Sequence, residues 1–386
     1  MNDDRPLTQR HAIYTEEDEA LRQQIVRFCR EEIEPHGEAW EEAGTFPREL
    51  YEKAGRAGLL GISFPEELGG SGGDLRHYCL VREELSRTGF AGVRVGLMVH
   101  GIGLPPVIRH APQPLKEMVA PEVLSGRKLI CLAISEPNAG SDVANIITTA
   151  TRDGADYIVN GEKAFISNGV RADYYTTAVR TGGPGRGGLS ILLIPRDTPG
   201  LTQTPLKKIG WWTSDTAIVH FDNCRVPAAH IVGEENRGFM AIMHNFNLER
   251  LGIAASMLGS TRCLFAETRA YVAERQAYGQ ALREHQVVRH KLVDMSTSIQ
   301  AMEAMLDNAI WKVLNGDPAV SDISRIKAFF AQEHERCAAD AVQLHGGAGM
   351  IRGIKVERIF RESKILSIGG GSTEVMKDLV ARQEGI

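Results

Sequence analysis

Between residues 129 and 235 the hydrophobic pattern changes its period, and that change limits the possible folds more than any other feature. On either side, apolar residues recur at spacings of three and four, as in helices that bury one face. Within the segment, the runs 129–134, 157–159, 174–179, 189–194 and 217–221 are short and rich in β-branched or aromatic residues. Gly, Pro, Asn and Asp punctuate them, which is the texture of strands joined by turns. An α+β chain is predicted: an N-terminal helical domain over 1–128, a central β-sheet or barrel domain over 129–236, and a C-terminal four-helix bundle over 237–386.

Local signals agree. Acidic residues 16–19 suit the first turn of a helix whose apolar face is Leu21, Ile25, Phe28 and Cys29, and Pro35 and Gly37 mark its end. Further helices are predicted near 47–58 and 74–89, and a long one carries Val288, Leu292, Met295, Ile299, Met302, Leu306, Ala309 and Val313 on one side. Asp317-Pro318 closes the connection to a next helix over about 319–344. The run Gly69-Gly70-Ser71-Gly72-Gly73 lacks the Lys-Ser/Thr and the preceding strand of a phosphate loop and reads as a plain loop. The run 181–188 reads as a hairpin-type loop.

Composition excludes several classes. A formal charge of -5 with no basic block argues against nucleic acid as a partner. No apolar run approaches the ~20 residues of a membrane span, and the start lacks the apolar core of a signal peptide. The six cysteines are scattered, with no CxxC and no zinc spacing. They read as reduced, mostly buried thiols of a cytoplasmic protein, and no metal site is expected.

Two segments carry the chemistry: Cys131-Leu132-Ala133-Ile134-Ser135-Glu136-Pro137-Asn138-Ala139-Gly140-Ser141-Asp142, and Asn160-Gly161-Glu162-Lys163-Ala164-Phe165-Ile166-Ser167-Asn168-Gly169. Each is a β-type run ending in small, hydroxyl-bearing residues, which let backbone N–H groups approach a flat, heteroatom-rich ligand edge. Together they resemble the flavin-binding strands of the acyl-CoA dehydrogenase family. Leu248-Glu249-Arg250-Leu251, Glu274-Arg275-Gln276-Ala277-Tyr278-Gly279 with Glu284-His285-Gln286, Gln343-Leu344-His345-Gly346-Gly347-Ala348-Gly349, and Arg361-Glu362-Ser363-Lys364-Ile365 leading to Gly369-Gly370-Gly371-Ser372-Thr373-Glu374 extend the resemblance over nearly the whole chain.

The resemblance implies FAD as cofactor. It places Ser135 and Gly140-Ser141 along the pyrimidine edge of the isoalloxazine, with Leu132 and Ile134 on the same strand. Phe165 is expected to pack on the ring and Ser167 to hydrogen-bond near N5, with Ile166 between them. The family more often has Trp and Thr at 165 and 167; Phe keeps the apolar face and Ser the hydroxyl. Gly346, Gly347 and Gly349 would admit a pyrophosphate, with Arg275 as cation and Gln343 as hydrogen-bond donor; in the family these two groups come from different subunits, so one FAD is completed across a dimer interface. Tyr278, His285, Gln286, Leu344, Ser372 and Glu374 complete the expected cofactor contacts. Ser141, Asn247, Arg250 and Gly371 match positions near the CoA substrate, although Asn247 replaces an acidic residue common in some branches.

Dehydrogenation at Cα–Cβ of a thioester needs a base. Many relatives carry a Glu where this chain has Gly370, whose backbone N–H can still bond the thioester carbonyl. Glu249 is the expected replacement, as in the long-chain and isovaleryl branches. It lies among Phe239, Ile242, Phe246, Ile253 and Met257, three after Phe246 and four before Ile253, with no cation at i±3 or i±4. An isolated carboxylate there is expected to have a raised pKa suited to proton abstraction. Glu136, Glu162 and Glu374 better fit turn or interface roles. The expected reaction is FAD-dependent oxidation of an acyl-CoA to a trans-2-enoyl-CoA, with an electron-transfer flavoprotein as acceptor and a tetramer built as a dimer of dimers. The alternatives are an acyl-CoA oxidase, a dehydrogenase of carrier-protein-bound acyl groups, and an inactive acyl-CoA- or flavin-binding protein. A monooxygenase has no need of the retained Leu-Glu-Arg-Leu segment.

Overall fold

A computed structural model describes residues 6–386. The order of elements follows the predicted change of period: a helical N-terminal region, a central sheet and a helical C-terminal region.

The N-terminal helices are α1 (Glu16–Phe28), α2 (Gly37–Ala43), α3 (Glu49–Arg56), α4 (Leu75–Arg87), α5 (Ala91–Met98), α6 (His100–Gly103), α7 (Pro105–His110) and α8 (Gln113–Leu124). Thr15 caps α1 by a reciprocal bond with Asp18, and Asp74 caps α4 with His77 in the same way. The sheet comprises β1 (Ile130–Ala133), β2 (Thr149–Asp153), β3 (Asp156–Ser167), β4 (Tyr174–Arg180), β5 (Leu189–Pro195), β6 (Leu201–Pro205) and β7 (Thr216–Pro227). Its strands run in the order β1-β4-β2-β3-β7-β6, with β5 on β4. β1 is parallel to β4, whereas β3 runs antiparallel to β7 and slips register between Lys163 and Ile166. A separate hairpin of β8 (Gln276–Ala277) and β9 (Gln280–Ala281) follows α9 (Gly238–Glu274). The remaining helices are α10 (Gln286–Leu314), α11 (Val320–His345), α12 (Lys355–Ser363) and α13 (Thr373–Glu384).

The chain forms two compact units. One takes residues up to 39, 74–94 and 250–386; the other takes 40–73 and 95–249. In the first, Arg10 donates to Glu83 and Asp307 at 2.8 Å each, and Arg262 donates to Glu83 at 3.1 Å and to Glu303. In the second, the sheet buries Tyr157, Val159, Tyr175, Ile194 and Val219 on one core, while Leu104, Val119, Ile130, Ile146 and Leu193 form another. All six cysteines are buried and free. No single helix among the described residues is long and apolar enough to cross a membrane.

Candidate active site

The sheet unit carries the two signature segments. β1 ends at Ala133, and the chain turns at Glu136, whose N–H donates to the Ala139 carbonyl at 3.0 Å. Ser135 is half-buried, and Gly140 and Ser141 are exposed, with nothing within 4 Å of a Cβ built on Gly140. Leu132 is half-buried. Ile134 and Ile166 point into the core, so each has only backbone to offer a ligand. Phe165 is the exception in β3. It sits in the register slip with φ +61 and its ring is 69% exposed. A non-glycine residue in that backbone region is strained, and strain kept in place is a mark of a working position. Ser167, half-buried, closes the strand.

Sequence reasoning missed what holds this segment. Lys163, fully buried, donates to Ile134 O at 3.1 Å and to Glu136 Oε1 at 2.7 Å. The Glu136 carboxylate also accepts from Ile147 N at 2.7 Å and Thr148 N at 2.9 Å. Burial opposes the charge of Glu136, but Lys163 and the two backbone N–H groups hold its carboxyl below the usual range. Burial brings the Lys163 ammonium down to about 8 against the attraction of Glu136. Beyond Ser167, Asn168 (φ +56) donates to Tyr51 Oη at 3.1 Å and to Gly96 O at 2.9 Å. The only sequence signal was the position of Glu136 and Lys163 within the two signature segments.

The helical unit carries the second set. α11 ends at His345, whose Nδ1–H donates to Ala341 O at 2.8 Å and whose ring stacks on Tyr271 at 4.2 Å. Gly346 and Gly347 follow, exposed, with nothing within 4 Å of a built Cβ. Gly349 corrects the expectation drawn for all three glycines: it is buried, and a Cβ would lie 2.8 Å from Val342 O, so it serves the helix stop. Arg275, Gln286 and Gln343 are exposed, and Leu344 is half-buried. Tyr278 stands at the hairpin tip with φ +51 and is 98% exposed. His285 braces that hairpin, its Nε2–H donating to Ala277 O at 3.3 Å. Ser372 caps α13 by accepting from Val375 N at 3.3 Å, and Glu374 is exposed in its first turn. In that cap Ser372 acts only as acceptor, so its O–H proton is left to donate elsewhere.

Glu249 is half-buried on α9. It is not without an interaction partner, so the isolation expected from helical spacing alone does not hold; spacing counts only neighbours on the same helix. The apolar stripe is one-sided up to Glu249, with Met240 and His244 exposed opposite buried Ile242, whereas from Arg250 to Leu264 α9 is buried on nearly every side. Arg250, the next residue, is buried, and its Nε donates to Gly370 O at 3.1 Å. It braces the glycine turn, and the sequence expectation of a substrate contact had not foreseen this. Asn247 is half-buried. Gly370 has φ +70 and Gly371 φ +103; a Cβ on Gly370 would lie 2.4 Å from Ile253 Cδ1, and one on Gly371 2.6 Å from Met376 Cε. Lys327 donates to Gly371 O.

These residues fit FAD. An exposed aromatic ring held in a strained bulge offers a stacking face, and Gly140, Gly346 and Gly347 offer open backbone for polar edges and phosphate.

Sequence profiles of the acyl-CoA dehydrogenase N-terminal, middle and C-terminal domains match residues 15–127, 131–224 and 236–385. The mitochondrial long-chain specific acyl-CoA dehydrogenase of Sus scrofa is 35% identical over 96% of this chain and 87% of its own. The crystal structure of acyl-CoA dehydrogenase from Geobacillus kaustophilus matches with a TM-score of 0.93 at 34% identity, covering 97% of this chain and 99% of its own. The FAD complex of PigA matches with a TM-score of 0.93 at 25% identity, over 96% and 98% of the two chains. The chain therefore belongs to the acyl-CoA dehydrogenase family and is an FAD-dependent oxidoreductase.

Proposed function

We propose that Glu249 is the base of this enzyme and that it takes the α-proton of an acyl-CoA, yielding a trans-2-enoyl-CoA. The observation that carries the assignment is the backbone of Gly370. Its left-handed φ disfavours any side chain, and a glycine supplies no carboxylate where many relatives have a glutamate. The base must then come from elsewhere, and Glu249 sits one residue before the arginine that fastens Gly370 to α9. When bound, FAD supplies the acceptor for the β-hydrogen as hydride. Glu249 holds the abstracted proton on its carboxylate. The Gly370 N–H donates to the thioester carbonyl oxygen, where negative charge develops. Phe165 offers the stacking face for the cofactor, and Ser135, Gly140, Ser141 and Ser167 its polar edge. Gly346 and Gly347, with Arg275 and Gln343, hold the pyrophosphate. Tyr278, His285, Gln286, Leu344, Ser372 and Glu374 complete the proposed cofactor contacts.

An electron-transfer flavoprotein as acceptor, a cytoplasmic location and a tetramer belong to the same proposal. Val287, Val293, Met350 and Ile351 are exposed apolar side chains of the helical unit and favour self-association. The test is anaerobic flavin bleaching against a panel of straight and branched acyl-CoAs. Glu249→Gln is expected to keep its FAD and to bleach about 10²–10⁴-fold more slowly. An unchanged bleaching rate would remove Glu249 from the mechanism.

A further inference from the structure

β1 and β3 are not neighbours in the sheet: β1 pairs with β4, and β3 with β2 and β7. Yet the end of β1 and the far half of β3 must present one continuous edge if Ser135 and Phe165 share a ligand. Three bonds join them. Ala164 N donates to Ser135 O at 2.8 Å. Lys163 Nζ donates to Ile134 O at 3.1 Å and pairs with Glu136 Oε1 at 2.7 Å. At this same point β3 leaves its register with β7, and Phe165, two residues after Lys163, takes its strained φ. The Asn168 bonds to Tyr51 and Gly96 fix the other end.

A buried ion pair is a poor device for stability alone. Desolvating two charges costs several kcal/mol each, and apolar replacements of similar volume often do as well. Its best-attested use is to specify register, because a slipped arrangement would strand both charges. Here the register specified is that of the bulge that displays Phe165. We infer that Lys163 and Glu136 form a positioning pair that locks β3 onto the end of β1, so that Phe165 and Ser135 meet the flavin in one fixed geometry. This rests on the proposed flavin contacts of Phe165 and Ser135.

The test removes FAD and follows its return. Wild type, Lys163→Met, Phe165→Ala and the Lys163→Met/Phe165→Ala double variant are compared by FAD titration of apoprotein, visible circular dichroism of the bound flavin, midpoint potential and thermal unfolding of the apo form. Lys163→Met is expected to weaken FAD binding tenfold or more and to change the flavin dichroism and potential. Phe165→Ala should act in the same direction, and the double variant should be little worse than either single one, since both remove the same contact. Should Lys163→Met fail to fold, Lys163→Met/Glu136→Met leaves no orphaned charge and is expected to show the same FAD defect. The pair is merely structural, and the inference falls, if either lysine variant lowers only the apo melting temperature, or if the lysine and phenylalanine effects on FAD affinity multiply. A Phe165→Ala variant with wild-type affinity and dichroism would instead overturn the flavin role of β3 itself, and the inference with it.

Discussion

Gly370 sits at φ +70, where an L side chain strains the backbone by roughly 1 kcal/mol or more, and a Cβ there would press on Ile253. Gly370→Ala is therefore expected to destabilise the protein by about 1–2 kcal/mol, read by chemical denaturation. Adding a carboxylate does not repair the enzyme: Gly370→Glu in the Glu249→Gln background is expected to stay inactive, and recovery of turnover would show that the turn relaxes enough to accept a base. At this scale the sequence was informative where one residue type rules out a role. A glycine at 370 cannot abstract a proton, and that was legible without coordinates. That Glu249 has an interaction partner was not, because spacing along a helix is blind to partners brought by packing. Nor was the Lys163–Glu136 pair, whose members are 27 residues apart and of which only Glu136 had been read, as fitting a turn or interface role.

Helices were legible where one face alternates with the other, as in α10, whose Val288, Met295, Ile299, Met302 and Leu306 are all buried. They were harder to place in α5 and α6, where burial is nearly complete and the period fades. The middle of α9 is the extreme case, and buried polar groups rather than apolar stripes show how it packs. Thr261 on α9 donates its hydroxyl proton to Met257 O at 2.7 Å, so at 3.0 Å from His334 on α11 it must accept from Nδ1–H. Burial, helped by the Arg94 charge, pulls the His334 imidazole down to about 4. The unfolded chain titrates this group near 6.5, so between about 6.5 and 4 the native state binds fewer protons than the unfolded one. Stability from this site is complete above pH 6.5 and is lost as pH falls toward 4, by on the order of 3 kcal/mol. His334→Gln is expected to be less stable at neutral pH and to lack this part of the acid slope. Parallel stability–pH curves for the two proteins between pH 4 and 7 would contradict it.

For the whole molecule, texture and compactness divide the chain along different lines. The change of period marks where helices give way to strands, near 129 and again near 237. Contacts instead gather residues up to 39, 74–94 and 250–386 into one unit, and 40–73 and 95–249 into the other. Sequence patterns report how a segment faces its surroundings, not which distant segment supplies them, and so the second division was not legible. It has a consequence for fragments. Residues 1–128 would contain Arg10 and Glu83, each fully engaged in the native helical unit, but not Arg262, Glu303 or Asp307, which complete that network. Cut there, the fragment keeps a buried ion pair without its outer partners and exposes the face of α4 that α9 and α10 cover. Truncating partners of buried charges costs about 3–5 kcal/mol, comparable to the whole stability of a small domain. A purified 1–128 fragment is therefore expected to show helical circular dichroism without a cooperative thermal transition. A sharp transition with protected amide hydrogens would mean that the first 128 residues form a folding unit of their own, and that the long-range ion pairs join parts already folded.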